Sequence, residues 1–398
     1  MKNILLILFI LSVKFLFAGD VVKENSEAKF RLLKLDYNNS SGEKGVTFYD
    51  YTEKGICKTA LWELVNGQRY SINFQFYDKN NNIIKKVREY SDHMNTVQLY
   101  NYDENNHLIS EEFFLRDTSK GITTYEYDDQ NKIVLVRCKA YNGWINGIIK
   151  LKYDDKGQKI SGELIQDSKQ AAFIKYEYDK YGNMVKETWD FGKEWQQEFN
   201  YIYEKEGDSK SLTFTSPNPY VVNLKKPIQK EEYTYGKKIS GPSFYKYNSN
   251  GELIEKVYER SDGFKTNTFY IYGNDGILLR AFRRYSNGKT ALFRFTYNDN
   301  SRITKKEFFM NDHVYGNELY TYNSDNELEK VEFNNSDLWL SGIINFEKIK
   351  NGTTLKATYK DKKGFSAEIN ILYDPQSLLQ NIIWQFSDGD VQSYYYFY

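Results

Sequence analysis

The sequence predicts an all-β protein made of tandem antiparallel β-hairpin repeats of about 25 residues, which form an elongated, wound or stacked sheet resembling a β-solenoid. Three observations support this prediction. A motif beginning Tyr-Asp recurs along the chain, aromatic residues make up 17% of it, and turn-forming residues recur too often for helices. Aromatic side chains favour strands because they pack well on a half-buried, pleated surface.

The N-terminus has the pattern of a secretory signal peptide. Lys2 precedes an apolar run over residues 4–17, and Ala18 and Gly19 are small residues suited to cleavage. The run is shorter than the roughly 20 apolar residues of a membrane-spanning helix. We therefore predict a signal peptide over residues 1–18, with an uncleaved anchor as the alternative and no transmembrane helix after cleavage. We expect a bacterial protein whose location is periplasmic, on the cell surface or secreted.

The rest of the chain divides into four parts. An N-terminal segment covers residues 19–45, repeat block one covers 46–205, and repeat block two covers 231–398. Residues 206–230 interrupt the motif, and four of the five prolines fall in or near this break. Proline cannot donate to a strand ladder, so we interpret residues 206–230 as an irregular excursion.

Each repeat is predicted to be a hairpin with a tight turn at the motif. The motif reads aromatic-x-Tyr, then Asp or Asn, two variable residues, and Gly or Asn, as in Tyr125-Glu126-Tyr127 followed by Asp128 and Asn131. Residues two apart in a strand share a face, so the two aromatic rings point to the same side. Asp or Asn opens a type I turn, and Gly or Asn closes it as a G1 bulge. The motif tyrosines are Tyr77, Tyr102, Tyr127, Tyr153, Tyr178 and Tyr203 in block one, and Tyr247, Tyr272, Tyr297 and Tyr322 in block two.

The Tyr-Asp-x-x-Gly core, seen from Tyr153 to Gly157, resembles the YD repeats of the RHS family. The resemblance covers most of the chain and implies that the hairpins wind into a long spiralling sheet. The repeat is longer than the usual RHS period, and the sequence lacks the RHS core-terminating motif. Because residues 394–398 still have the pattern of a strand, we expect no toxin domain. MORN-like hairpin repeats are a second, weaker resemblance.

Charge and motif content exclude several classes of function. The chain carries 54 basic and 54 acidic residues, which are interleaved as on a solvated face, whereas nucleic-acid binders usually show a basic excess. We find no nucleophile elbow, phosphate loop or Cys-x-x-Cys motif, so we expect no catalytic residue, metal site or cofactor. Cys57 and Cys138 lie about three repeats apart. In an open stack that is beyond the reach of a disulfide, so both thiols are predicted to be free.

The sequence thus predicts a non-catalytic, exported repeat protein that acts as a binding or structural module of the cell envelope. The sequence does not identify its partner, for which a glycan and an envelope protein are the two candidates. Most aromatic rings are expected to form the core, but Trp144, Trp195 and Trp339 are candidates for stacking on a ligand. Two alternatives are a carbohydrate-active envelope or secreted enzyme with its site at residues 206–230, and an outer-membrane barrel. Charged residues on both strand faces oppose the barrel.

Overall fold

The computed structural model describes residues 30–51, 56–66, 69–92, 94–116, 118–139, 146–192, 195–205, 226–235, 239–248, 250–273, 276–310, 314–335, 341–347 and 354–398. Every regular element in these ranges is a β-strand, which confirms the all-β prediction. None of these ranges holds a helix with the length and apolar character of a membrane span. The predicted signal peptide and most of the 206–230 excursion lie outside the described residues.

The chain divides into two compact units, Met1–Gly207 and Asp208–Tyr398. In the described residues of the first unit, fourteen strands close into a barrel. They are β1 (Phe30–Asn39), β2 (Lys44–Tyr51), β3 (Cys57–Leu64), β4 (Tyr70–Tyr77), β5 (Ile83–Tyr90), β6 (Asn95–Tyr102), β7 (Leu108–Leu115), β8 (Thr118–Tyr127), β9 (Ile133–Lys139), β10 (Asn146–Tyr153), β11 (Lys159–Gln166), β12 (Lys169–Tyr178), β13 (Met184–Asp190) and β14 (Gln196–Lys205).

The second unit is also a closed barrel of fourteen antiparallel strands. They are β15 (Lys230–Tyr235), β16 (Ile239–Tyr247), β17 (Leu253–Glu259), β18 (Lys265–Tyr272), β19 (Leu278–Tyr285), β20 (Thr290–Tyr297), β21 (Ile303–Met310), β22 (Val314–Tyr322), β23 (Leu328–Asn334), β24 (Gly342–Phe346), β25 (Thr354–Asp361), β26 (Ser366–Tyr373), β27 (Leu379–Phe386) and β28 (Val391–Phe397). In both barrels each strand pairs with its neighbours in the chain, and the first strand pairs with the last.

The closed barrels show that the predicted elongated, wound or stacked sheet is wrong. In the first barrel Leu35 of β1 lies opposite Tyr201 of β14, and in the second Tyr233 of β15 lies opposite Tyr394 of β28. Strands in a sheet twist, and bulges bend them further, so a sheet of many bulged strands curls. Closure then pairs the two edge strands, whose backbone groups an open stack would leave without partners.

The turn at the motif has the predicted geometry. Oδ1 of Asp128 accepts hydrogen bonds from the backbone N–H groups of Gln130 and Lys132, each over 2.9 Å. Asn131 has a φ of 59°, and the strand register shifts between Glu126 and Tyr127, as a bulge requires. Left-handed residues occupy the same turn position at Asn81, Asn106, Asn131, Gly157, Gly182, Gly251, Gly276, Ser301, Asn326 and Ser377.

The aromatic faces of the strands point into the barrels. In β8 the Tyr125 side chain is buried, and Tyr127, two residues on, is half-buried against the same core. In β12 Ile174 and Tyr176 are buried, whereas the intervening Lys175 is exposed. One contiguous cluster of buried apolar side chains fills the first barrel, and two clusters fill the second.

Candidate functional site

Charged side chains also point into the first barrel. Lys86 and Arg88 of β5 and Glu111 of β7 are buried. The guanidinium of Arg88 donates from Nε to Oδ1 of Asn73 over 2.5 Å, and from Nη1 to the hydroxyl of Tyr90 over 3.1 Å. The interleaved lysines and glutamates were expected on a solvated face. That expectation is wrong for these positions, because the strand alternation turns them inward.

Burial shifts the titration of the interior charges in the first barrel. Burial raises the pKa of the Glu111 carboxyl to about 7, although the positive charge of Lys86 opposes this shift. Burial lowers the pKa of Lys86 to about 7, and the neighbouring Arg88 lowers it further, while Glu111 opposes the change. The pKa of each group therefore lies closer to neutral pH than that of the same side chain in water, because the buried interior disfavours the charged form.

A second acidic group in the first barrel is held by aromatic donors. The indole Nε1 of Trp189 donates to Oε1 of Glu187, and the hydroxyl of Tyr201 donates to Oε2 over 2.8 Å. Glu187 is fully buried, so these bonds replace the water that the carboxylate loses on folding. The arrangement occupies both carboxylate oxygens and stabilises the core.

The second barrel contains a similar internal network. Nζ of Lys256 lies 2.9 Å from Oε1 of Glu231, and the hydroxyl of Tyr245 donates to Oε2 over 2.7 Å. Burial alone would raise the pKa of Glu231, but Lys256 and the hydroxyl donors together hold it below its usual value. A parallel group joins Lys306 to Glu318 over 3.1 Å. Glu187 and Glu231 are thus bonded to protein groups, whereas Lys256 and Lys306 stay partly exposed to solvent.

The outer face of the first barrel carries ion pairs that solvent can reach. They join neighbouring strands at three places: Arg137 with Glu126 (2.6 Å), Lys152 with Glu163 (3.2 Å) and Lys186 with Glu198 (2.9 Å). The inward neighbours of these residues, such as Val136, Leu164 and Phe199, are buried. This part of the wall is therefore charged on its outer side.

The second barrel exposes a group of aromatic rings where its first and last strands meet. Phe244 of β16 is 49% exposed, Phe397 of β28 is 45% exposed, and Tyr395 of β28 is 39% exposed. Lys230 and Glu232 of β15 lie between them. We call these five residues the seam surface, because β15 and β28 close the barrel here.

The strand register fixes the arrangement of the seam surface. Lys230 is paired with Phe244 on one side and with Phe397 on the other, so the three residues form one row across the wall. Glu232 is paired with Tyr395 in the next row. Nζ of Lys230 lies 2.5 Å from Oε1 of Glu232 and 5.6 Å from the centre of the Phe397 ring. A charged pair therefore sits at the centre of a patch of three rings.

Comparison with known proteins assigns no family. No protein-family model matches the chain, and no curated protein matches it. Several solved structures resemble it weakly, among them the following three. A TcdB2-TccC3 structure without its hypervariable C-terminal region has 10% identity and a TM-score of 0.24, and the match covers 87% of this chain and 18% of that one.

The other two structures come from named organisms. A Photorhabdus luminescens Tc holotoxin pore has 10% identity and a TM-score of 0.24, and the match covers 86% of this chain and 19% of that one. A porin-like protein from Bacteroides uniformis has 13% identity and a TM-score of 0.29, over 43% of this chain and 98% of that one. The chain spans less than a fifth of the length of the two toxin chains. These TM-scores are too low to transfer a fold or a function, so the RHS resemblance stays a prediction.

The structure describes one of the three candidate tryptophans. Trp195 is half-buried and packs against the core of the first barrel. Trp144 and Trp339 lie outside the described residues, so stacking on a ligand stays a prediction for all three. Within the described ranges no cluster of three His, Cys, Asp or Glu side chains could hold a metal ion.

Both cysteines are free, as predicted, although the stated reason, an open stack, is wrong. They lie on β3 and β9 of the same barrel, which are not neighbouring strands. Cys138 is buried in the core. Burial raises the pKa of each thiol to about 12, so neither is a reactive thiolate at neutral pH.

Phe244, Tyr395 and Phe397 were not among the predicted site residues. Residues 394–398 were predicted to form a strand, and five consecutive aromatic residues in a strand must place rings on both faces. That alternation was a usable signal for Tyr395 and Phe397. Phe244 offered none, because only the closure of the barrel brings β16 to within two strands of β28.

Proposed function

We propose that this protein is an exported, non-catalytic binding or structural module of the cell envelope. The observation that supports the proposal is the filled interior of each barrel. Buried apolar side chains occupy the inside, and the carboxylates of Glu187 and Glu231 among them are bonded to protein partners. A partner would therefore bind the outer wall or the loops.

The enzyme alternative depends on the 206–230 excursion, of which residues 226–230 are described. Ile228 is fully buried in the core of the second barrel, and Lys230 begins β15. This end of the excursion therefore belongs to the barrel framework. The observation favours a structural role for it over a catalytic one.

The outer-membrane alternative is compatible with a closed barrel, but the outer wall disfavours it. A lipid-facing wall needs an apolar band about 25 Å tall, and a Lys or Arg at its centre costs about 2–4 kcal/mol. In the first barrel Lys186 and Glu198 form an outward ion pair on adjacent strands, and Lys152 and Glu163 form another. We therefore propose that the barrel walls face water.

Fractionation of a bacterium expressing the full chain tests this proposal. We expect the protein in the soluble periplasm or the medium, with a mature N-terminus near Gly19. Retention in the membrane after a carbonate wash would support the anchor or the outer-membrane barrel instead. A panel of chromogenic glycosides and esters tests the second part, since turnover by the purified mature protein would contradict a non-catalytic role.

A further inference from the structure

We propose that the seam surface binds a saccharide chain, whose sugar rings stack on Phe244, Tyr395 and Phe397. This inference deepens the proposed function by naming a surface and a class of ligand, and it rests on the proposal that the protein is a binding module. It concerns side chains on regular strands, so the barrel holds the rings in place before any ligand arrives.

The spacing of the three rings suits an extended ligand. Tyr395 and Phe397 share one face of β28, with Cα atoms about 7 Å apart along the strand. Phe244 is two strands away from Phe397, about 10 Å across the wall. The rings therefore spread over an area larger than one sugar, and a chain of several sugars could contact all three.

The mixed chemistry of the surface distinguishes a saccharide from a protein partner. Charged residues are depleted at the centres of protein interfaces, where apolar groups are dry. Here Lys230 and Glu232 occupy the centre, and their side chains remain 37% and 45% exposed. A sugar offers an apolar C–H face to an aromatic ring and hydroxyl groups at its edge. The hydroxyls can accept hydrogen bonds from the ammonium of Lys230 and donate them to the carboxylate of Glu232.

Single-stranded nucleic acid also stacks on aromatic platforms, but it requires a positively charged groove along its backbone. Glu232 lies 2.5 Å from Lys230 and neutralises the cation at the centre of the seam surface. The whole chain has no net charge. The charge balance thus favours a neutral polymer.

The ion pair also positions one ring. Nζ of Lys230 lies 5.6 Å from the centre of Phe397, within the range of a cation–π contact, and Glu232 pairs with the same ammonium. The cation–π contact therefore helps to orient the Phe397 ring. We expect its removal to weaken binding most.

Affinity electrophoresis of the mature protein tests the proposal. Native gels would contain laminarin, hydroxyethyl cellulose, xylan or soluble starch, and retardation measures binding. We expect at least one of these polysaccharides to retard the protein. Phe397→Ala and Phe244→Ala should each weaken that binding at least tenfold while leaving the circular dichroism spectrum unchanged.

Phe76 of the first barrel provides a matched control. Its ring is 48% exposed. Nζ of Lys85 lies 5.8 Å from the centre of this ring, close to the 5.6 Å between Lys230 and Phe397. Beyond Lys85 the same outer row continues with Leu99, so no second ring extends the platform on that side. Phe76→Ala should bind the polysaccharide as the wild type does.

Two results would overturn the saccharide proposal. One is the absence of retardation by every polysaccharide in the panel, and the other is equal retardation of the wild type, Phe397→Ala and Phe244→Ala. Capture of a protein partner that both alanine variants abolish, without any polysaccharide binding, would reassign the surface. Fractionation and the turnover assays are independent of these gels, so an exported, inactive protein that binds no polysaccharide would refute only this inference.

Discussion

The hydroxyl of Tyr102, at the end of β6, donates a hydrogen bond to the backbone carbonyl of Ile83, at the start of β5, over 3.0 Å. The bond joins the hairpin of β6 and β7 to the hairpin before it. The backbone pairing between β5 and β6 covers Lys85 to Glu89 on β5. The tyrosine bond therefore extends the contact between the two hairpins beyond this pairing, towards the end of the barrel. Equivalent bonds link Tyr77 to Cys57, Tyr127 to Leu108, Tyr153 to Ile133, Tyr297 to Leu278, Tyr322 to Ile303 and Tyr398 to Leu379. They give a reason for tyrosine, rather than phenylalanine, at the motif.

Replacing one of these hydroxyls tests its contribution. Tyr102→Phe should lower the free energy of unfolding by about 1 kcal/mol, because the Ile83 carbonyl loses its side-chain donor while the ring keeps its packing. Urea unfolding followed by circular dichroism measures the change. Tyr181→Phe is the control, since Tyr181 lies in a turn and is 51% exposed. An equal effect of both substitutions would contradict a linking role for the motif hydroxyl.

The left-handed turn position gives a second prediction. Asn131 has a φ of 59°, a conformation that costs an ordinary L-residue about 1–2 kcal/mol and that glycine adopts freely. Asn131→Val should therefore reduce the free energy of unfolding by about 1–2 kcal/mol, whereas Asn131→Gly should leave it nearly unchanged. Urea titration of the two variants checks this. If valine and glycine proved equally tolerated, the turn would not have the described geometry.

These turns could be predicted from the sequence because their interactions are local. Asp128 bonds to backbone groups two and four residues ahead, and Asn131 needs only its own backbone freedom. The sides of the strands follow from the same local rule, since aromatic-x-Tyr must put Tyr125 and Tyr127 on one face. Whether a charged side chain is buried inside the barrel depends on the fold of the whole barrel. For that reason the local pattern did not predict that Lys86 and Glu111 point inward.

The buried Glu111 predicts an unusual dependence of stability on pH. Its pKa in the folded protein is raised to about 7, above the value of 4.5 for a free side chain. The folded state therefore holds the proton more tightly than the unfolded state. The stability that this proton contributes is complete below about pH 4.5 and is lost as pH rises towards 7. Lys86 acts in the opposite direction above pH 7, because its pKa is lowered and the folded state releases the proton more readily.

Urea unfolding at pH 5 and pH 7 measures this effect in the wild type and in Glu111→Gln. Glutamine does not titrate, so the stability of the wild type relative to this variant should fall between the two pH values. Glu112→Gln is a matched control, because Glu112 is the next residue and points to the outer face of β7. A pH-independent difference between the wild type and Glu111→Gln would show that Glu111 does not bind a proton in this window.

Barrel closure could not be predicted from repeat spacing alone. The pairing of β1 with β14 joins residues more than 150 positions apart, and β1 lies in residues 19–45, where the motif is absent. Local patterns specify hairpins and inward faces, but an open sheet and a closed one satisfy them equally. The twist accumulated over fourteen strands decides between the two, and it depends on the number of strands and bulges rather than on any single repeat.

An engineered disulfide tests closure of the first barrel directly. Asp36 of β1 lies opposite Asn200 of β14 on the outer face, and directly opposed residues in antiparallel strands have Cα atoms about 4.5–5.5 Å apart, within disulfide range. Asp36→Cys with Asn200→Cys should therefore form a bridge under mild oxidation, which peptide mapping by mass spectrometry would identify beside the free Cys57 and Cys138. In an open sheet the same two strands would be separated by about 60 Å, given about 4.8 Å for each strand step, so no bridge could form within one molecule.

Asp36→Cys with Asn101→Cys is the control. Asn101 is exposed but lies on β6, five strands from β1, so this pair should stay reduced. A bridge in the control pair, or its absence between positions 36 and 200, would contradict the closed barrel.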